Sequence, residues 1–169
     1  MAHEIGAIYN RLVTYPENQP KVLKENINDN MTIDVQTENC PIYLGKIVKD
    51  DVIKDSPEWM KERLMASGIR SINNVVDISN YVMLEYGQPL HFFDKDRLGD
   101  KVIVRMAEEN EKLKTLDGQE RTLKTSDIVI ANEKEAVALA GVMGGLSTEV
   151  EMDTKNIFVE AAIFEPIHI

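Results

Sequence analysis

At 169 residues, 43% of them hydrophobic and 28% charged, the chain has the length and composition of one soluble domain with a well-buried core. A formal net charge of -10 excludes a broad nucleic-acid footprint, which needs clustered Lys and Arg to release counterions. No apolar run approaches the roughly 18 residues of a membrane span and no secretory leader is visible, so a cytoplasmic protein is expected. The single Cys40 forms no internal disulfide, and the scattered His3, His91 and His168 make no ligand motif, so no structural metal is expected.

In chain order, Ile5, Ile8 and Leu12 predict an amphipathic helix over 2–12. Residues 14–30, with Pro16 and Pro20, read as a linker or mobile loop. Met31, Ile33 and Val35 alternate as a strand does, and 43–48 predicts a second strand after Cys40-Pro41. Ser56-Pro57-Glu58 is a helix start, since Ser can cap, Pro is tolerated at the first helical position and Glu suits the dipole. That helix carries Trp59, Met60, Leu64 and Met65 as a core stripe and stops at Gly68. A second helix begins with Asn73 and Asn74 as cap candidates, repeats Val75, Ile78, Val82 and Met83 at helical spacing, and stops at Gly87 ahead of Pro89.

Strands dominate thereafter. Val102, Val104 and Met106 alternate, and 113–116 turns at Asp117-Gly118 and returns through 121–123 as a hairpin. Ile128–Ala131 and 136–140 flank a turn at Asn132-Glu133, a glycine-rich loop covers 141–145, and Ile157–Ile163 is a last strand. The fold class these patterns define is α+β, a mixed β-sheet flanked by helices.

Ser79 and Asn80 stand in a helix interior, where propensity disfavours them, so their side chains either hydrogen-bond the neighbouring loop or serve a site. His91 follows the helix stop without a Ser-His-Asp order or a nucleophile elbow, and is either structural or a lone acid–base group. Alternation in the last strand puts Phe158, Glu160 and Ala162 on one face, so Glu160 is a carboxylate on an apolar surface. Such an acid either reaches solvent or an Arg from an edge position, or meets a ligand. Alanines at 161 and 162 leave space beside it, and glycines at 141, 144 and 145 allow close backbone approach. GVMGG matches neither a dinucleotide fingerprint nor an NTPase phosphate loop, so no cofactor is assigned; a tight turn between strands is its other reading.

The stretch GIRSINNVVDISNYVMLEYGQPLHFFD at 68–94, with AGVMGG at 140–145 and VEAAIF at 159–164, resembles the B3/B4 domain in the beta subunit of bacterial phenylalanyl-tRNA synthetase. The resemblance runs from about Cys40 onward and implies residues 1–30 as helix and linker from a preceding domain, then a B3/B4 editing domain over 31–169, truncated at its C-terminal end. It implies a site that hydrolyses tyrosine mistakenly esterified to the tRNA for phenylalanine. A pocket for Phe rejects an added hydroxyl only about a hundredfold, whereas a second site that hydrogen-bonds the hydroxyl discriminates by about four orders of magnitude.

Carried over by position, Glu160 accepts the tyrosine hydroxyl, His91 lies near the ester, Ser79 and Asn80 place the substrate and the attacking water, and Gly144 and Gly145 fall in the pocket loop. The resemblance further implies an alpha subunit as partner in an alpha2beta2 heterotetramer and the 3′ end of the tRNA as ligand. ATP and Mg2+ would serve the alpha-subunit site, and the isolated chain would bind tRNA poorly. Ser79 stands where Thr is usual, and Phe92 replaces the usual Ala beside His91, which is expected to narrow or reshape the pocket. A different class of function, a non-catalytic structural or docking module for the alpha subunit or tRNA, is the alternative.

Overall fold

The computed structural model describes residues 1–15, 17 and 20–169, so Pro16 of the linker reading lies outside the described residues. Helix α1 (Ala2–Tyr9) ends where Asn10 turns left-handed at φ 50, short of the expected Leu12. Ile5, Ile8 and Leu12 are exposed, so this stripe meets no core. Before the first strand, a single 3-10 turn at Ile27–Asp29 is capped by the Asn26 side chain.

Strands β1 (Thr32–Val35), β2 (Ile42–Val48), β3 (His91–Asp94) and β4 (Lys101–Met106) sort into two sheets, together with β7 (Ile128–Ala131), β8 (Ala136–Leu139), β9 (Met143–Gly144) and β10 (Ile157–Ile163). One is a five-stranded sheet in the order β1-β4-β7-β8-β9, mixed because β1 runs parallel to β4 while the other pairs are antiparallel. The other is a three-stranded antiparallel sheet, β2-β10-β3. A separate hairpin, β5 (Lys112–Lys114) with β6 (Glu120–Thr122), turns through Asp117-Gly118 as expected.

The single sheet of the sequence reading is therefore two sheets, with the main core between them. Val102, Val104, Ile128 and Ile130 of one pack toward Phe93 and Phe158 of the other. On the far face of the smaller sheet, Ile157 and Val159 meet Val75 of helix α3 (Asn74–Tyr86), and Phe92 packs into this same cluster. The hairpin covers the outer face of the larger sheet through Leu113, Val129 and Ala136. Strand β3 and the short helix α4 (Lys95–Leu98) that it feeds went unpredicted, because a run of four residues straight after a helix carries too little periodicity.

Helix α3 shows how one polar stretch does several jobs. The Asn73 carboxamide oxygen accepts from the amides of Val75 and Val76 as an N-cap, and Gly87 closes the helix at φ 74. Asn74 does not cap; its side chain accepts from the Lys54 amide and donates to the Val52 carbonyl, tying the preceding loop down. Helix α2 (Glu58–Ala66) departs from expectation at its start, for Pro57 occupies the N-cap position with no side-chain cap. Ser56 instead donates to Asp77 at 2.5 Å. Only Met60 and Leu64 of the expected stripe are buried, while Trp59 and Met65 lie on the outer face.

Asp77 is fully buried and also accepts from Ser71 and from the Ile72 amide. Burial raises its pKa, but the two hydroxyls and the amide outweigh that and hold the carboxyl below its ordinary value. Asp77→Ala leaves three donors without their acceptor, the buried Ser56 hydroxyl and the part-buried Ser71 hydroxyl and Ile72 amide, and is expected to cost about 3 kcal/mol in urea denaturation. A loss below about 1 kcal/mol would mean that solvent replaces the carboxylate.

Candidate active site

Between the two sheets a cavity of about 360 Å³ opens, within the range of small-molecule sites. It is lined by the start of β3, the faces of β7 and β8, the turn into β9, and Glu160 and Ala162 of β10. His91 and Glu160 are the two ionisable side chains of its lining.

Glu160 sits in the middle strand of the smaller sheet, not at an edge, and only 8% of it is exposed. His91 is its cross-strand partner in β3, which brings both side chains to the same face. The Glu160 Oε2 atom accepts a hydrogen bond of 2.6 Å from the hydroxyl of Tyr43 in β2. Desolvation pushes the Glu160 carboxyl up to about 7, against the lowering effect of that bond.

The His91 ring stands edge-on to Phe93 at 4.4 Å, and burial pulls its pKa down to about 4, so the imidazole is neutral at pH 7. Gly144 makes this position available, for a Cβ there would lie 2.5 Å from His91 Cε1 and 2.6 Å from Nε2. What was expected to be a loop at 141–145 thus contains β9, paired with β8, and its backbone is the wall against which the imidazole rests.

His91, Gly144 and Glu160 are gathered at one cavity; Ser79, Asn80 and Gly145 do not line it. Ser79 donates to the Leu90 carbonyl at 2.7 Å, the loop contact that one of its two readings described, and so anchors the residue before His91. Asn80 is half-buried in α3. The Gly145 amide donates to the Val137 carbonyl at 2.7 Å, and a Cβ there would meet that oxygen at 2.5 Å. Phe92 faces the helix side of the sheet, because alternation in β3 sends His91 and Phe93 one way and Phe92 the other; the expectation that it reshapes the pocket does not hold. Tyr43 was missed as a site residue: its strand was readable, but its neighbour across β10 follows from a register that only pairing of distant segments sets.

Among the described residues no group of three His, Cys, Asp or Glu side chains is placed to hold a metal ion, and no helix is long and apolar enough to cross a membrane.

Two sheets enclosing a cavity lined by a buried carboxyl and an imidazole, backed by helices, define an α+β domain with an internal cavity. Its fold is similar to that of an N-terminal fragment of the phenylalanyl-tRNA synthetase beta-subunit from Pyrococcus horikoshii, with a TM-score of 0.61 over 86% of this chain and 45% of that one at 17% identity. Residues 39–169 match the model of the B3/4 domain, and the chain belongs to that family. It is also 52% identical, over 99% of its length, to the phenylalanine–tRNA ligase beta subunit of Staphylococcus aureus strain Mu50, and 51% identical to that of strain MSSA476. The chain spans 21% of the length of these relatives.

Proposed function

We propose that this chain is a part of a phenylalanine–tRNA ligase beta subunit, and that its cavity is a hydrolytic editing site for tyrosine esterified to the tRNA for phenylalanine. The observation that carries the reading is Glu160. A carboxylate in the central strand of a sheet, with no Lys or Arg on it among the described residues, costs stability and is explained by a ligand that brings a hydrogen-bond donor. The tyrosine phenol is such a donor, and phenylalanine leaves the buried acceptor unpaired.

His91, neutral and depressed in basicity, suits orienting the ester or the attacking water through a ring nitrogen better than taking a proton at pH 7. Ser79 acts one step removed, by holding Leu90. Rate enhancement then comes from placing water and ester together, and the alpha subunit, ATP and Mg2+ belong to aminoacylation elsewhere in the assembly. With a net charge of -10, the chain relies on the rest of the assembly to hold the tRNA backbone and presents its cavity to the 3′ end.

The test is deacylation of tyrosyl-tRNA and phenylalanyl-tRNA by the two-subunit enzyme carrying this chain. Wild type is expected to favour the tyrosyl ester by about a hundredfold or more, and Glu160→Ala to bring the two rates within about tenfold while the protein stays folded. A wild type that clears neither ester overturns the reading.

The docking alternative has one observation in its favour. On the outer face of α2 and α3, the Arg63 guanidinium lies 5.4 Å from the Trp59 ring and 5.9 Å from that of Tyr81, a composition typical of interface hot spots. Loss of subunit association in Trp59→Ala, with deacylation intact in the enzyme that does assemble, would assign that face to docking without touching the cavity.

A further inference from the structure

Glu160 is held by one residue outside the cavity lining. Tyr43 of β2 pairs with Ala162 and Gly45 pairs with Glu160, so the tyrosine reaches the carboxylate diagonally from the same face. Gly45, directly opposite, contributes no side chain; a Cβ there would collide with the Phe158 ring at 2.5 Å. The two carboxylate oxygens consequently differ: Oε2 takes the Tyr43 hydroxyl, while Oε1 accepts nothing from the described residues, on a side chain that lines the cavity.

We propose that Tyr43 is a specificity-setting positioning residue, whose hydroxyl fixes one oxygen of Glu160 and keeps the other turned to the cavity as a pure acceptor for a phenolic ligand. This rests on the editing reading above. The groups facing Glu160 are few: Tyr43 from β2, Cys40 just before β2, His91 from β3, and the apolar Ile130 and Ala138 from the opposing sheet.

Each facing group bears on the carboxyl in a definite way. His91 is neutral at pH 7 and brings no positive charge. Burial, then the charge of Glu160, push the Cys40 thiol up to about 11, so it brings no negative one. Burial first, and then Glu160, raise the Tyr43 phenol well above its ordinary value, so it remains a donor at every working pH. Tyr43 is thus the one facing group that stabilises the ionised carboxyl. Without it, the acid protonates and offers an O–H of its own. A neutral acid is satisfied more cheaply than a buried anion, and a ligand lacking the hydroxyl is then penalised less.

The experiment measures hydrolysis of tyrosyl- and phenylalanyl-tRNA between pH 5.5 and 8.5 with the two-subunit enzyme, for wild type, Tyr43→Phe and Tyr43→His. Tyr43→Phe is expected to reduce the tyrosyl preference at pH 7 by about tenfold, mainly through the tyrosyl KM, and to move the pH at which the preference sets in upward by about one unit. Tyr43→His, which restores an N–H donor, recovers part of the preference and keeps the proposal testable if the phenylalanine variant folds poorly. An unchanged preference and midpoint in Tyr43→Phe overturns the role of Tyr43 while leaving the editing reading standing. So does a loss that is equal for both esters and at every pH, which marks a structural role. A wild type without any tyrosyl preference overturns the editing reading itself.

Discussion

Glu160→Gln is expected to make the chain more stable than wild type at pH 8 and nearly equal to it at pH 5. The folded carboxyl titrates at about 7 against an ordinary value of 4.5. A carboxyl whose folded pKa is raised contributes fully below its unfolded pKa, and that contribution is lost as pH rises through the folded one. Above pH 7 the wild type therefore carries a buried charge costing on the order of 3 kcal/mol, which the amide removes while its oxygen still accepts from Tyr43. Urea midpoints for both proteins at pH 5, 6, 7 and 8 give the difference directly. Parallel curves across that range would show that Glu160 is solvated in the folded state.

His91 titrates in the opposite sense. Its folded pKa is depressed from 6.5 to about 4, so its contribution is present above 6.5 and lost as pH falls through 4. The two windows overlap between pH 4.5 and 6.5, where the loss at Glu160 and the gain at His91 offset each other, so the wild-type curve should be nearly flat there, while Glu160→Gln should leave a stability that rises with pH through that range.

Gly144→Ala is expected to cut tyrosyl-ester hydrolysis by about a hundredfold, the effect of moving a positioning group by roughly 1 Å. The added Cβ falls on the imidazole at 2.5 Å and on Leu116 Cδ1 at 3.1 Å. The ring has little room to yield, since Phe93, on which it stands, is fully buried. A cost of about 1–3 kcal/mol in stability should accompany the displacement. Adding His91→Ala to Gly144→Ala should restore the stability, because the clash is gone, while leaving activity at the level of His91→Ala alone. Activity within threefold of wild type in Gly144→Ala would show that His91 does not position the reacting groups.

Helix α3 and its two ends, the hairpin at Asp117-Gly118 and the last strand, Ile157–Ile163, were legible in the sequence because each carries its own signal within a few residues: an Asn cap and a left-handed Gly, a turn dipeptide, or an alternating run. The family was legible for a similar reason, since its motifs are contiguous. Single residues with more than one hydrogen-bonding option were less so. Ser56 has the chemistry to cap α2, and it pairs with Asp77 because a buried carboxylate 21 residues away offers the stronger partner.

By itself, then, the sequence determined the order of most elements, the apolar surroundings of Glu160 and the family. Strand register, the division into two sheets and the contents of the cavity were decided only by the tertiary structure. Whether Glu160 lies at an edge or in the middle depends on which distant strands flank β10, and the sequences of β2 and β3 are 43 residues apart along the chain, from Val48 to His91. Alternation tells which residues share a face, but not what stands opposite them. For that reason Phe92 turned away from the pocket, Gly144 became the seat of His91, and Tyr43 emerged as the partner of Glu160.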